Sequence, residues 1–339
     1  MKYSALILVV LACSTTNAGE TKVAKYAGEF LSIGVGGRAL GMGSAAVAIA
    51  GDVTAGYWNP AGLSNIKYPE VIFMHDEGFG SLISYDYGAA AIPYGPSSSF
   101  GLSVMRLGVD GIPDTRNALI DVNGNNRFDG ADRIDYSRVT YFTTADWVFY
   151  ASYAKKVSSE FSYGANLKFI RRSLADASAT GIGFDVAVQY IPFENVRLGA
   201  NVQDVTTTLV AWSTGLNELI SPTVKVGGAY LMELFGGQLT PEVDFDLRFE
   251  NRRTASTAYV GPVSIDVRGG MEYAYKNVIA VRIGYTDIKQ LTLGAGLRLP
   301  KLDIDYSFAK FDGTGQLGNT HRISLKLTID SEKYARPTE

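Results

Sequence analysis

From about residue 67 onward apolar and polar residues alternate along the chain, segment after segment. A period of two marks a strand whose faces meet different surroundings; a helix repeats near 3.6. The clearest stretch is Pro241 to Glu250, where Val243, Phe245, Leu247 and Phe249 interleave with Glu242, Asp244, Asp246, Arg248 and Glu250. One face is greasy and the other charged. The same alternation runs through 161–169, 182–190, 196–202, 291–297, 302–308 and 323–329, and weaker versions lie near 70–74, 81–92, 100–107, 144–154, 222–230, 264–275 and 278–285. Together these predict an all-β fold of about fourteen strands.

A soluble sandwich alternates too, so connection lengths decide the setting. Gaps at 155–160, 191–195, 276–277 and 300–301 are short, while 108–140, 171–179, 205–221, 250–263 and 309–320 are long; 75–80 and 286–289 break the pattern. Short turns alternating with longer loops predict a transmembrane antiparallel β-barrel, with the long loops outside the cell. Closure is required there, because an unpaired sheet edge cannot be hydrated in hydrocarbon. Strands of roughly 9–11 residues suit a tilted crossing. Tyr85, Tyr87, Tyr153, Tyr190, Tyr230, Tyr273, Tyr275 and Tyr285 near strand ends suit interfacial girdles.

Composition narrows the function. A net charge of -3, from 31 basic against 34 acidic residues, gives no footprint for nucleic acid. Past the first dozen residues no run approaches the roughly 18 apolar residues of a membrane-spanning helix, which excludes a multi-helix membrane protein. Met1-Lys2, the apolar run Ala5 to Ala12 and the small residues Ser14 to Ala18 read as a signal peptide over 1–18. The alternative is a lipoprotein-type box at Val10-Leu11-Ala12-Cys13, which would retain Cys13 as a lipidated first residue. Cleavage after Ala18 leaves no thiol for disulfide or redox chemistry. The expected address is the outer membrane of a Gram-negative type envelope. His75 and His321 are the only histidines, and neither stands beside a partner in sequence that would make a metal or acid-base site, so an enzyme is not expected.

Residues 19–66 do not alternate. They carry Gly34, Gly36, Gly37, Gly41, Gly43, Gly51 and Gly56 among Ala, Ser and Val, and end in Trp58-Asn59-Pro60-Ala61-Gly62-Leu63. Small residues allow close packing in a confined space. Gly34 to Ala39 fits a loose dinucleotide fingerprint, but no βαβ pattern surrounds it. Gly37-Arg38-Ala39-Leu40-Gly41-Met42-Gly43, followed by Ala50-Gly51-Asp52 and Trp58 to Leu63, resembles the start of the PorV/PorQ family of outer-membrane proteins, within the superfamily of the long-chain fatty-acid transporter FadL. The resemblance implies a fourteen-stranded barrel over 67–330 with 19–66 folded into its lumen as a hatch, and a polar tail over 331–339. It also implies that Arg38, Asp52, Asn59 and Pro60 hold the hatch, although ordinary Asn-Pro turn chemistry accounts for part of the same pattern.

Asp121 to Asp132 places oxygen side chains at loop positions 1, 3, 5, 9 and 12 (Asp121, Asn123, Asn125, Asp129 and Asp132). This spacing resembles EF-hand and dockerin loops, in which oxygen donors wrap Ca2+ and position 7, here Arg127, contributes a backbone carbonyl. Asn126 stands where glycine is usual, and a plain polar loop is the alternative. The expected role of calcium is to order an exposed loop.

Two functions remain. Resemblance to PorV implies a binding protein of the type IX secretion machinery, receiving secreted proteins by their C-terminal signal domains and passing them to surface attachment. It expects apolar or strand-edge surface on 205–221, which contains Leu209, Val210, Trp212 and Leu219. Resemblance to FadL implies passive transport of a hydrophobic small molecule through an apolar pocket beside the hatch. The charged inward positions, including Glu242, Asp244, Glu272, Arg282 and Asp305, weigh against a greasy conduit, and mutual pairing across strands explains them most simply. The first function is preferred at this point. Both place the barrel in outer-membrane lipid, with secreted cargo and its machinery, or a hydrophobic ligand, as partner.

Overall fold

A computed structural model of the chain describes residues 21–22, 28–78, 83–125, 127–130, 132–310 and 319–337. The expected signal peptide lies outside the described residues. Among the described residues the main sheet contains nineteen strands; fourteen close into an antiparallel barrel, and five short ones extend it at the rims. In chain order the barrel strands are β1 (Glu70–Gly78), β2 (Ile83–Tyr94), β3 (Ser98–Asp114), β4 (Thr140–Lys156), β5 (Phe161–Leu174), β6 (Ala177–Phe193) and β7 (Val196–Gln203). They continue with β8 (Thr223–Tyr230), β9 (Gly237–Arg248), β10 (Val263–Tyr275), β11 (Ile279–Tyr285), β12 (Leu291–Arg298), β13 (Leu302–Lys310) and β14 (Thr320–Thr328). Each pairs with its sequence neighbours, and β1 meets β14 from Glu70 opposite Thr328 to Glu77 opposite His321, which closes the ring.

The burial pattern places the barrel in a membrane. On β9 the charged Glu242, Asp244 and Asp246 are each 1% exposed, whereas Val243 and Phe245 are 45% and 41% exposed. A soluble protein buries the opposite set. Here the apolar residues form an outer band, and the charges line a filled lumen. Connections at 95–97, 157–160, 194–195 and 276–278 form one rim, and the longer 115–139, 204–222 and 249–262 form the other. In outer-membrane barrels the short-turn rim faces the periplasm.

Three expectations need correction. β3, β4 and β6 each run 17 residues and β5 runs 14, well beyond a membrane crossing. The long loop expected at 171–179 is therefore a tight turn between β5 and β6. Polar residues such as Arg171, Arg172 and Ser173 continue the ladder above the apolar band, where the loss of alternation reads as loop. Tyr85 and Tyr87 are buried in the lumen instead of joining a girdle. The lumenal side of β1 to β4 is itself apolar, so in this sector parity alone misplaces the aromatics. Tyr190, Tyr230, Tyr275 and Tyr285 do face outward.

The third correction concerns 205–221. Residues 208–212 and 217–220 form a hairpin whose first strand pairs with the upper part of β6, from Leu209 opposite Ile182 to Trp212 opposite Ala179. It takes the place that β7 leaves when it stops at Gln203. Val210 is completely buried, Trp212 is half-buried under the Arg172 guanidinium, Leu219 is half-buried, and only Leu209 is exposed. Alternation within the hairpin turns half of its apolar side chains into the lumen.

Residues 28–66 fill the lumen. They form a 3-10 turn at Glu29–Ser32, α1 (Gly37–Gly41), α2 (Ala55–Trp58) and a second 3-10 turn at Pro60–Asn65. The apolar core of the molecule is the contact between this hatch and the wall. Tyr57, Trp58 and Leu63 pack with Met74, Tyr87, Met105 and Tyr150. Wall glycines admit the hatch backbone: a Cβ on Gly164 would collide with Pro60 and Ala61, and one on Gly284 with Met42 and Gly43.

Candidate functional site

The hatch meets two unlike walls. Against β1 to β4 it packs by apolar contact. Trp58 and Tyr57 stand edge to face at 4.9 Å; the Trp58 indole donates to the Val35 carbonyl at 2.9 Å, and the Tyr57 hydroxyl to the Leu31 carbonyl at 2.6 Å. These bonds satisfy the polar tips of two buried aromatics.

Against β8 to β14 the hatch is held by charge. Arg38, in α1, makes a forked pair with Glu272 at 2.9 and 3.0 Å. Glu272 also receives Arg282 at 2.6 Å and Arg298 at 3.3 Å, and Arg282 reaches Asp305 at 2.7 Å. The Glu272 carboxylate holds the Arg38 guanidinium above its ordinary pKa, so the clamp stays charged. Asp244 accepts from the amides of Ala46 and Val47 at 2.8 and 3.0 Å, and Glu242 from Ala48 at 2.8 Å. Charged acceptors on backbone N–H groups are among the stronger hydrogen bonds. Mutual pairing across the wall is thus only half of the account of the inward charges: Asp246 pairs with Arg268 and Lys225, whereas Glu242, Asp244 and Glu272 grip the hatch.

Asn59 donates to the carbonyls of Val47 at 2.8 Å and Val188 at 3.0 Å, and its side-chain oxygen caps the following turn at the Ala61 amide. Pro60 opens that turn, where its missing N–H costs nothing. Asp52 accepts from the amide and hydroxyl of Thr54 at 2.9 and 2.6 Å and faces Lys326 at 3.6 Å. Burial pushes the Asp52 carboxyl up, but Lys326 and Thr54 outweigh it and leave the group below its usual range. Wall amides missing from the sequence expectations complete the seat: Asn166, Asn201 and Gln189 donate to the carbonyls of Gly56, Trp58 and Ala50 at 2.8, 3.0 and 2.6 Å. Their signal was an Asn or Gln at an inward position, which alternation supplies only after the hatch is recognised.

Two cavities flank the hatch. One of about 300 Å³ lies on the long-loop side, between the hatch and the ends of β1, β2, β3 and β14. Its apolar wall includes Ile33, Leu40, Ile83, Tyr85, Leu107 and Ile288. Its polar wall carries Asp76 paired with Arg322 at 2.7 Å, Arg268 paired with Asp287 at 3.1 Å, and Gln290. A second cavity of about 290 Å³ opens at the short-turn rim, lined in part by Ala48, Gly51, Gln189, Arg197 and Gln238. Leu40 borders the first and Arg38 the second, so α1 is part of the partition between them. Leu40 was named from sequence only within the glycine-rich motif and Tyr85 only as a girdle aromatic; the cavity itself was not legible, because its lining gathers from distant segments.

The calcium-loop residues sit outside the barrel, in the 115–139 connection. The Asp121 carboxylate accepts from the Gly124 amide at 2.6 Å, and the Asn125 side-chain oxygen from the Arg127 amide at 2.7 Å. The Asp129 carboxylate accepts from the side chains of Asn123 and Asn125 at 2.9 and 2.6 Å, and Asp132 from the Val122 amide at 2.9 Å. The loop is wound by its own oxygens. Among the described residues no three His, Cys, Asp or Glu side chains converge as metal ligands.

No protein-family model matches the chain, and no curated protein matches it. Solved structures share its fold. The Ralstonia pickettii toluene transporter TbuX superposes with a TM-score of 0.57 at 14% identity, covering 87% of this chain and 98% of that one. A Pseudomonas aeruginosa FadL homologue gives 0.57 at 13% identity, over 86% and 97% of the two chains. The CymD monoaromatic hydrocarbon channel gives 0.59 at 13%, over 88% and 98%. The chain therefore shares the barrel fold of these proteins.

Proposed function

We propose that this barrel is a non-enzymatic channel passing a small, largely apolar molecule across the outer membrane, down its gradient and past the hatch. The observation that carries the proposal is the pair of cavities at opposite rims, separated in part by α1, a short helix held to the wall by ion pairs at Arg38. A ligand would enter from the long-loop side, rest against Leu40 and Tyr85, and leave at the short-turn rim when α1 shifts. Asp52, Asn59 and Pro60 would keep the rest of the hatch seated. The shared fold with named hydrocarbon transporters supports this reading over binding of secreted cargo. The cargo reading expects exposed apolar or strand-edge surface on loops such as 205–221; there Val205, Leu209 and Leu216 are exposed, while Val210 is buried and residues 209–212 already pair with β6.

The test is uptake of a small aromatic probe by liposomes containing the purified barrel, against liposomes without protein. Faster equilibration with the barrel supports the proposal. Equal rates, with co-purification of exported proteins from native membranes, would return the secretion reading to first place. We also propose that residues 121–132 bind Ca2+ and stiffen the outer loop, on the strength of their oxygen spacing.

A further inference from the structure

Two residues bordering the outer cavity carry buried polar groups that the hatch and wall leave unused. Asp76 and Gln290 both line it and are 4% and 5% exposed. One carboxylate oxygen of Asp76, Oδ2, takes the Arg322 guanidinium at 2.7 Å; the other, Oδ1, has no hydrogen-bond partner among the described residues. The side-chain nitrogen of Gln290 likewise has none, and both atoms are closed off, so a ligand meets them by turning the Asp76 carboxyl or the Gln290 amide toward the cavity. We infer that the ligand of this channel is a neutral molecule with an apolar body and a hydroxyl or comparable hydrogen-bonding group, rather than a pure hydrocarbon or a carboxylic acid; the inference rests on the transport reading above.

The chemistry of the lining separates the three classes. A hydrocarbon suits Ile33, Leu40, Ile83, Leu107 and Ile288, but it leaves the Asp76 oxygen and the Gln290 amide without hydrogen bonds. A site built to hydrogen-bond a hydroxyl rejects the analogue lacking it for that reason. Among the described lining residues a carboxylate finds no free cation. Arg268 is taken by Asp246 and Asp287, both at 3.1 Å, and Arg322 by Asp76. Across the lining, two arginines face the three carboxylates of Glu29, Asp76 and Asp287, so an anion meets a wall of its own sign. A hydroxyl can donate to the Asp76 oxygen or accept from the Gln290 nitrogen, and its apolar body then lies on the aliphatic wall.

Three probes of nearly one shape test this: toluene, p-cresol and 4-methylbenzoate, titrated calorimetrically into the full-length barrel in detergent. We expect p-cresol to bind about tenfold or more tighter than toluene, with 4-methylbenzoate weakest. Toluene or 4-methylbenzoate binding as tightly as p-cresol overturns the inference and leaves the transport reading standing. Failure of all three to bind, together with no acceleration of liposome uptake, overturns both. In Gln290→Leu, checked for folding by its heat-modifiable migration, the ratio of p-cresol to toluene affinity should fall toward one. A ratio that holds in Gln290→Leu and in Asp76→Asn alike overturns the assignment.

Discussion

Arg38→Ala is the most direct perturbation of the partition between the two cavities. It removes a forked pair of 2.9 and 3.0 Å to Glu272. Glu272 is not orphaned by the change, because Arg282 and Arg298 remain at 2.6 and 3.3 Å. The loss therefore stays below the roughly 3–5 kcal/mol of stranding a buried charge. It lies nearer the about 1.5–3 kcal/mol of hydrogen bonds to a charged group. That energy is the difference between α1 seated and α1 displaced. With about 1.4 kcal/mol per tenfold, the displaced population rises about tenfold to a hundredfold. While displacement limits passage, flux of a small aromatic probe into proteoliposomes should rise by a comparable factor, and Arg38→Lys, which cannot fork, should fall between. Glu272→Gln separates opening from unfolding: it weakens three arginine contacts at once and should lower the thermal midpoint of the barrel far more than Arg38→Ala does. A folded Arg38→Ala barrel that transports at the parent rate refutes α1 as the barrier.

Four further outcomes can be checked. Gly56→Cys with Ser152→Cys places two Cβ atoms about 3.9 Å apart, within disulfide range; oxidation should pin α2 to β4 and leave transport intact, and a block reversed by reductant would mean that the whole hatch must move. Arg336 donates to the carbonyls of Ile66 and Ser98 at 3.0 and 2.9 Å and to the Ser99 hydroxyl at 2.7 Å, tying the C-terminal tail to the foot of the hatch. Arg336→Ala should cost about 2–3 kcal/mol, seen as a lower heat-modification midpoint, and an unchanged midpoint would dismiss the tie. Asp52 titrates below its usual range in the folded protein, so its stabilisation is complete above the unfolded carboxyl value of about 4 and decays as pH falls through the lower folded value. The protection of the Thr54 amide, which Asp52 accepts at 2.9 Å, should fall in that acid window in the parent, relative to the intrinsic exchange rate at each pH, and show less pH dependence in Asp52→Asn. Calorimetric titration with Ca2+ should give a saturable heat that is absent in Asp129→Ala; no heat in the parent removes the calcium proposal.

Strand number and positions were legible because alternation is a direct imprint of two unlike environments, one on each face. The charged face of β9 reads as lumen from Glu242, Asp244 and Asp246 alone. Legibility failed where the two environments converge. On β2, Tyr85 and Tyr87 face an apolar hatch while Asp86 on the opposite face meets His75 at 2.7 Å, so parity points the wrong way. It failed again beyond the membrane, where β5 and β6 continue in polar residues on both faces. The hatch motif was visible as an island of small residues, and Arg38 could be named. Its partner Glu272, more than two hundred residues away, could be recognised only as one inward acid among many, since no local spacing encodes which wall charge meets which hatch group.

The unlike walls of the lumen also decide which part of the hatch can move. α2 and the Pro60–Asn65 turn are sealed by Trp58, Tyr57 and Leu63 against the apolar sector, and exposing such surface to water has no compensating partner. α1 and residues 46–48 add only Ala39, Leu40 and Ala46 to the apolar core and are held to the wall by Glu272, Asp244 and Glu242. Water entering from either flanking cavity can solvate those carboxylates and the freed amides, which recovers much of what the protein bonds contributed. A displacement confined to α1 and the loop after it therefore costs far less than expulsion of the hatch. It also leaves the aromatic contacts in place to guide the segment back, so the proposed channel would need no energy source to reclose.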